Sequence, residues 1–132
     1  MPYRSVVAKE LADLLGAIAH PARIRMIQEL RAGERDVHSL SEAVELSQSS
    51  ASQHLMVLRA HRVVVERREG RHVFYRLRHA EFADWLIEAV EFLPEAAQEF
   101  DQVRRAIQKV RAVGRIAMKK PSNKSPHNHR SE

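Results

Sequence analysis

Residues Ser47 to Leu77 read SQSSASQHLMVLRAHRVVVERREGRHVFYRL. The stretch opens with small polar side chains at helical spacing. Ser47 is a good N-cap for a helix over 48–60. In that helix Ala51, Leu55 and Leu58 fall on one face, the face expected to meet a core. Gln48, Ser49, Ser52, Gln53 and Met56 fall on the open side. The second half is strand-like. Val63 to Arg68 and His72 to Leu77 are β-branched and aromatic, with Val73, Tyr75 and Leu77 alternating against His72, Phe74 and Arg76. Glu69-Gly70-Arg71 forms the expected tip, where Gly70 can adopt positive φ.

Working outward, residues 6–19 predict a helix, with Val7, Leu11, Leu14 and Ile18 as its apolar stripe. His20-Pro21 breaks it, and Pro21 suits the first position of a helix over 21–32. Ile24, Ile27 and Leu30 mark one face of that helix. Asp36 is the expected cap of a helix over 36–44, with Val37, Leu40 and Ala43 inward, and Val44-Glu45-Leu46 makes the turn into 48–60. After the hairpin at 63–77, Phe82, Leu86, Ala89 and Leu93 define a helix over 80–93, with Trp85 and Phe92 beside the stripe. Pro94 ends or kinks it. Ala96, Phe100, Val103, Ile107 and Val110 then predict an amphipathic helix over 95–113. It packs on Leu86, Trp85 and Phe92 or enlarges a dimer interface; the alternative is a wall of an apolar ligand pocket. The fold class is therefore mainly α with a small β-hairpin. Helix, turn, polar helix and basic hairpin in that order form a winged helix-turn-helix, expected to fill residues 1–113. The remaining 114–132, ending KKPSNKSPHNHRSE, has the composition of a basic disordered tail.

Charge sharpens this reading. The 132 residues carry 22 Lys and Arg against 17 Asp and Glu, a formal net charge of +5. Residues 59–78 alone hold seven Arg and two Glu, and 114–132 hold five basic groups and one acidic. A local basic stripe is the footprint of phosphate binding. Cysteine is absent, which excludes disulfides, thiolate metal sites and thiol sensing. No apolar run approaches the roughly 20 residues of a membrane span. Val6-Val7-Ala8 gives way at once to Lys9-Glu10, so no secretory leader is expected and the chain reads as cytoplasmic. No nucleophile elbow, phosphate-binding glycine loop or HExxH pair occurs, so an enzyme is not expected.

Gln48, Ser49, Ser50, Ser52, Gln53 and His54 are the candidates for base contact. Gln matches adenine in a bidentate pair and Ser is permissive; the alternative is a solvated helix face. His54 lies toward Ser50 and Leu58, where partial burial and a bond to neighbouring backbone are expected. Arg67, Arg68, Arg71 and His72 are the candidates for phosphate or minor-groove contact. The alternative there is a solvated hairpin whose arginines pair with Glu66 and Glu69.

Three segments, LADLLGAIAHPARIRMIQEL at 11–30, LSEAVELSQSSASQHLMVLR at 40–59 and VVERREGRHVFYRL at 64–77, occur in the order found in ArsR-type repressors. Over roughly residues 8–93 the chain resembles that family of bacterial transcription repressors. The resemblance implies a homodimer built from the first and last core helices, and a recognition helix at 48–60 in the major groove of each half-site. It implies repression at a palindromic double-stranded DNA operator, released by an inducing signal. It also directs attention to metal sites. Many family sensors carry Cys-Val-Cys where this chain has Asp36-Val37-His38, and others align Asp, His, His and Glu along the last core helix. Here that helix offers His79, Glu81, Asp84, Glu88 and Glu91 in a different spacing, and the tail adds His127 and His129. A cap for Asp36 and a solvated acidic helix face are the favoured readings, so no metal or cofactor is expected and the inducer is unknown. A zinc- or nickel-responsive repressor using His, Asp and Glu is the alternative, as is an architectural or protein-interaction winged helix without sequence readout.

Overall fold

Three helices whose starts are set by side-chain caps frame the centre of the fold. The computed structural model describes residues 2–99, 102–103, 105–107 and 109. The first of its two units ends at Glu91 and the second begins at Phe92. Within the first unit the order is α1 (Pro2–Ile18), α2 (Pro21–Leu30), β1 (Arg35–Asp36), α3 (Val37–Ala43), α4 (Gln48–Ala60), β2 (Val64–Glu69), β3 (His72–Leu77) and α5 (Glu81–Ala89). A 3₁₀ turn follows over Val90–Phe92. This is the expected winged helix-turn-helix, mainly helical with one small sheet.

The starts of α2, α3 and α4 have local causes. His20 caps α2 by accepting the Ala22 N–H at Nδ1, and Pro21 takes the first position. Asp36 caps α3 through the Ser39 N–H at 2.6 Å, and Ser47 caps α4 through Ser50 N–H at 3.1 Å. The ends of α3 and α4 share one device. Leu46 N–H bonds to Ser41 C=O and Glu45 N–H to Glu42 C=O; Val63 N–H bonds to Leu58 C=O and Arg62 N–H to Arg59 C=O. These are Schellman pairs, with Glu45 at φ 56° and Arg62 at φ 59° in the left-handed position that glycine usually fills. Arg25 of α2 adds bonds to the Ala43 and Val44 carbonyls at 3.1 and 3.3 Å, closing the end of α3.

Met26, Ile27, Leu30, Leu40, Leu55, Leu58 and Val64 are fully buried and form the centre of the core. Burying each such side chain contributes about 1.5–3 kcal/mol before entropy is counted. Ile18, Val37, Val44, Ala51, Val63, Tyr75, Leu77 and Ala83 complete the cluster, with Leu14, Phe82 and Leu86 packed against it. Of the expected α5 stripe, Phe82 and Leu86 pack on the core and Ala89 is half-buried, while Leu93 is exposed; the fully buried position is Ala83, and Trp85 is exposed and stacked on Phe82 at 5.7 Å. The α1 stripe is split. Ile18 is buried and Leu14 half-buried, while Val7 and Leu11 remain exposed with Leu15.

Several boundaries differ from expectation. Helix α1 begins at Pro2 rather than residue 6, because Pro at the first position starts a helix without apolar periodicity. Helix α2 stops at Leu30, two residues early, where 31–33 turn toward β1. The hairpin joins a third strand. Arg35 pairs with Tyr75 and Asp36 with Phe74, giving sheet order β1-β3-β2, all antiparallel. Glu69 pairs with His72, so the tip is Gly70-Arg71 rather than three residues, with Gly70 at φ 59°. In the second unit, residues 95–99, 102–103, 105–107 and 109 are helical, and Ala97 and Gln98 N–H bond to Pro94 C=O. The expected end of that helix, 110–113, and the tail, with its boundary at 114, lie outside the described residues.

Candidate nucleic-acid interface

Helix α4 has one inward and one open face. Ala51, Leu55 and Leu58 are each 0% exposed, while Gln48, Ser49, Ser52, Gln53 and Met56 are exposed. Small polar groups on a helix anchored from behind form a surface that base edges can meet. Ser50 is half-buried, its N–H held by Ser47. His54 is half-buried as well, but its partner is a side chain rather than backbone. Arg23 Nε donates to His54 Nδ1 at 3.3 Å, the His20 ring lies 4.4 Å away centroid to centroid, and Arg23 also donates to Ala17 C=O at 2.9 Å. Desolvation, and then the nearby His20 and Arg23 charges, push His54 below the ordinary histidine range. The ring therefore ties α4 to the α1–α2 junction.

The wing arginines fall into two sets. Arg67 forms ion pairs with Glu34, which precedes β1, and with Glu69, and its guanidinium lies 4.6 Å above the Phe74 ring centroid. Arg68 pairs with Glu66 at 2.8 Å. The bond from Arg67 holds Glu34 below the ordinary carboxylate range. The bond from Arg68 does the same for Glu66, aided by Tyr75 and Arg59 against a desolvation that acts in the opposite sense. Arg71, at the tip, is exposed and makes no ion pair among the described residues. His72 beside it is exposed, its ring 6.2 Å from Phe74. The pairing of Arg68 with Glu66 and Arg67 with Glu69 follows the alternative reading of the hairpin. Glu34 as a wing partner had no sequence signal, since it lies 33 residues from Arg67.

The metal-ligating candidates are dispersed. Asp36 is occupied by its cap. His38 is exposed and pairs with Glu42 one turn on, at 3.1 Å. His79 lies 3.8 Å from Glu81, and Asp84 pairs with Arg31 at 2.7 Å. Glu81, Asp84, Glu88 and Glu91 are all exposed. Among the described residues no three His, Asp or Glu side chains gather as a metal site; His127 and His129 lie outside them. No helix of the described residues is long and apolar enough to cross a membrane.

Residues 20–65, which span α2 to the start of β2, match the model of the family described as bacterial regulatory protein, arsR family. The transcriptional repressor SmtB of Mycobacterium tuberculosis is 41% identical over 85 residues, 64% of this chain and 63% of its own length. The regulator NmtR of the same organism is 38% identical over 89 residues, 67% of this chain and 74% of its own length. The solution structure of the homodimeric winged helix-turn-helix DNA-binding domain Mb0332 of Mycobacterium bovis superposes with a TM-score of 0.60 at 27% identity. It covers 67% of this chain and 83% of that one. The chain belongs to the ArsR family. The family and these relatives are regulators rather than enzymes.

Proposed function

We propose that this chain is a sequence-specific DNA-binding repressor acting as a homodimer at a palindromic operator, released by a signal that does not use cysteine. The observation that carries the reading is the open face of α4, polar and backed by the core, beside a wing tip whose Arg71 makes no ion pair among the described residues. Gln48, Ser49, Ser52 and Gln53 read base edges in the major groove, and Ser50 supports the start of the helix. Arg71 and His72 contact the backbone next to it. Arg67 and Arg68, held in ion pairs, shape the wing. His54 sets the seat of α4 from behind.

The dimer is supported by the exposed apolar positions Tyr3, Val6, Val7, Leu11 and Leu15 of α1, a row that a lone chain leaves in water. The homodimeric relative supports it too. Two recognition helices related by a two-fold axis would meet half-sites about 34–36 Å apart. The test is a titration of the full chain with the DNA upstream of its own coding region and with the same DNA scrambled. Tighter binding to the native sequence is expected; equal binding refutes sequence readout and leaves an architectural role.

A further inference from the structure

Glu66 sits where the wing meets the recognition helix. Its side chain is only 10% exposed, yet it belongs to a strand whose neighbours Arg67 and Arg68 stand in solvent. Three elements converge on its carboxylate. Arg59, in the last turn of α4, donates to Oε2 at 2.6 Å. Arg68, toward the tip of β2, donates to Oε1 at 2.8 Å. Tyr75, its register partner on β3 and a core residue, donates its hydroxyl to Oε2 at 3.2 Å. Each of the three partners is a donor, so the site is built for the charged carboxylate. Arg59 and Arg68 are largely exposed, with side chains 59% and 75% accessible. Without Glu66 both would be free cations flanking the DNA-facing surface.

We infer that Glu66 is a positioning residue for DNA readout: it locks the wing to the end of α4 and withholds Arg59 and Arg68 from phosphate. The inference rests on the proposed DNA-binding function and adds a physical purpose to the acidic residue inside a basic wing. A free arginine strengthens binding to any DNA, because it releases counterions whatever the sequence. A wing that swings independently of α4 also blurs the register between backbone and base contacts. One carboxylate shared between two arginines offsets one of their two charges and occupies donors of both, which lowers indiscriminate affinity, and fixing the wing lets the remaining contacts act in one register.

The test is Glu66→Gln in the full chain, a change that keeps the side chain's size and one acceptor but replaces Oε2 or Oε1 with an amide N–H₂. Binding is measured against the upstream DNA and its scrambled version over a range of salt. Affinity for scrambled DNA is expected to rise, and the slope of log K against log salt to steepen by about one to two. The preference for native over scrambled DNA is expected to fall by about tenfold, the scale of one lost base contact. Adding Arg59→Gln and Arg68→Gln to Glu66→Gln should return the slope to its original value. A purely structural role predicts instead equal loss on both DNAs with no steepening, and that result overturns the inference. Arg68→Gln alone gives a second readout that does not disturb the Tyr75 and Arg59 bonds. An unchanged slope fits a sequestered arginine, and a slope shallower by about one overturns it. If the wild-type chain itself shows no preference for native DNA, sequence readout fails, while the slopes on scrambled DNA still decide whether Glu66 withholds the two arginines.

Discussion

Arg71 stands apart from its neighbours in the wing because, among the described residues, it makes no ion pair, whereas Arg67 and Arg68 do. Arg71→Ala is therefore expected to weaken binding to operator and scrambled DNA alike and to reduce the salt slope by about one. Anisotropy titrations at several salt concentrations measure this, and an unchanged slope excludes Arg71 as a phosphate contact. His54 makes a prediction of a different kind. Its folded-state pKa is pushed down, so the unfolded chain takes up this proton first as pH falls. The stability held by neutral His54 is complete above about pH 6.5, the unfolded value, and is lost as pH drops through the lower folded value. Melting curves between pH 7.5 and 5 should show a decline that His54→Gln flattens; parallel curves for the two proteins rule the effect out. Which side chains face outward on α4 was legible in the sequence, since helical spacing alone separates Gln48, Ser49, Ser52 and Gln53 from Ala51, Leu55 and Leu58. Pairing of the wing arginines with Glu66 and Glu69 was legible as the alternative reading; the contacts of His54 with Arg23 and His20, and of Arg67 with Glu34, were not, because chain reversal brings those residues together.

At the scale of elements, the ends of α3 and α4 decide how the recognition helix is presented. Ser47 caps the start of α4 and orders the backbone of its first turn, where the proposed base-contact residues begin. Ser47→Ala should cost about 1 kcal/mol of stability, read as a lower denaturation midpoint with an unchanged slope. The other end of the turn holds Glu45 in a left-handed conformation. Glu45→Gly removes that strain but frees the unfolded chain, so the net effect is expected to lie within about 1 kcal/mol of zero. A loss much larger than this would mean that the Glu45 side chain has a role of its own. Helix α4 was read from the sequence with its observed limits, its start fixed by the Ser47 cap and its faces by periodicity. Strand β1 was invisible. Two residues have no period, and Arg35 and Asp36 are strand only because Phe74 and Tyr75 lie opposite them.

For the whole molecule, the consequential feature is the surface of α1. Leu14 and Ile18 reach the core, but Val7, Leu11 and Leu15 are 47%, 51% and 39% exposed. Apolar side chains in a row along one helix disfavour a solvated monomer. Leu11→Glu should leave helix content unchanged while shifting the chain toward monomer in sedimentation and weakening operator binding, because each half-site then binds alone. A variant that remains dimeric would place the interface elsewhere.

The sequence by itself determined the order of helices and hairpin, the buried and open faces of α4, the caps at Asp36 and Ser47, and the concentration of arginine in the wing. All of these are set by residue type at local spacing: hydroxyl and carboxylate oxygens satisfy free helix amides, and 3.6-residue and two-residue periods sort apolar from polar groups. Only the tertiary structure decided which arginines are free and which are neutralised. It also decided how far the α1 stripe reaches the core and which residues hold α4 in place. Those outcomes depend on distances between segments far apart in the chain, and ion pairing acts only over a few ångströms once folding has brought the charges together.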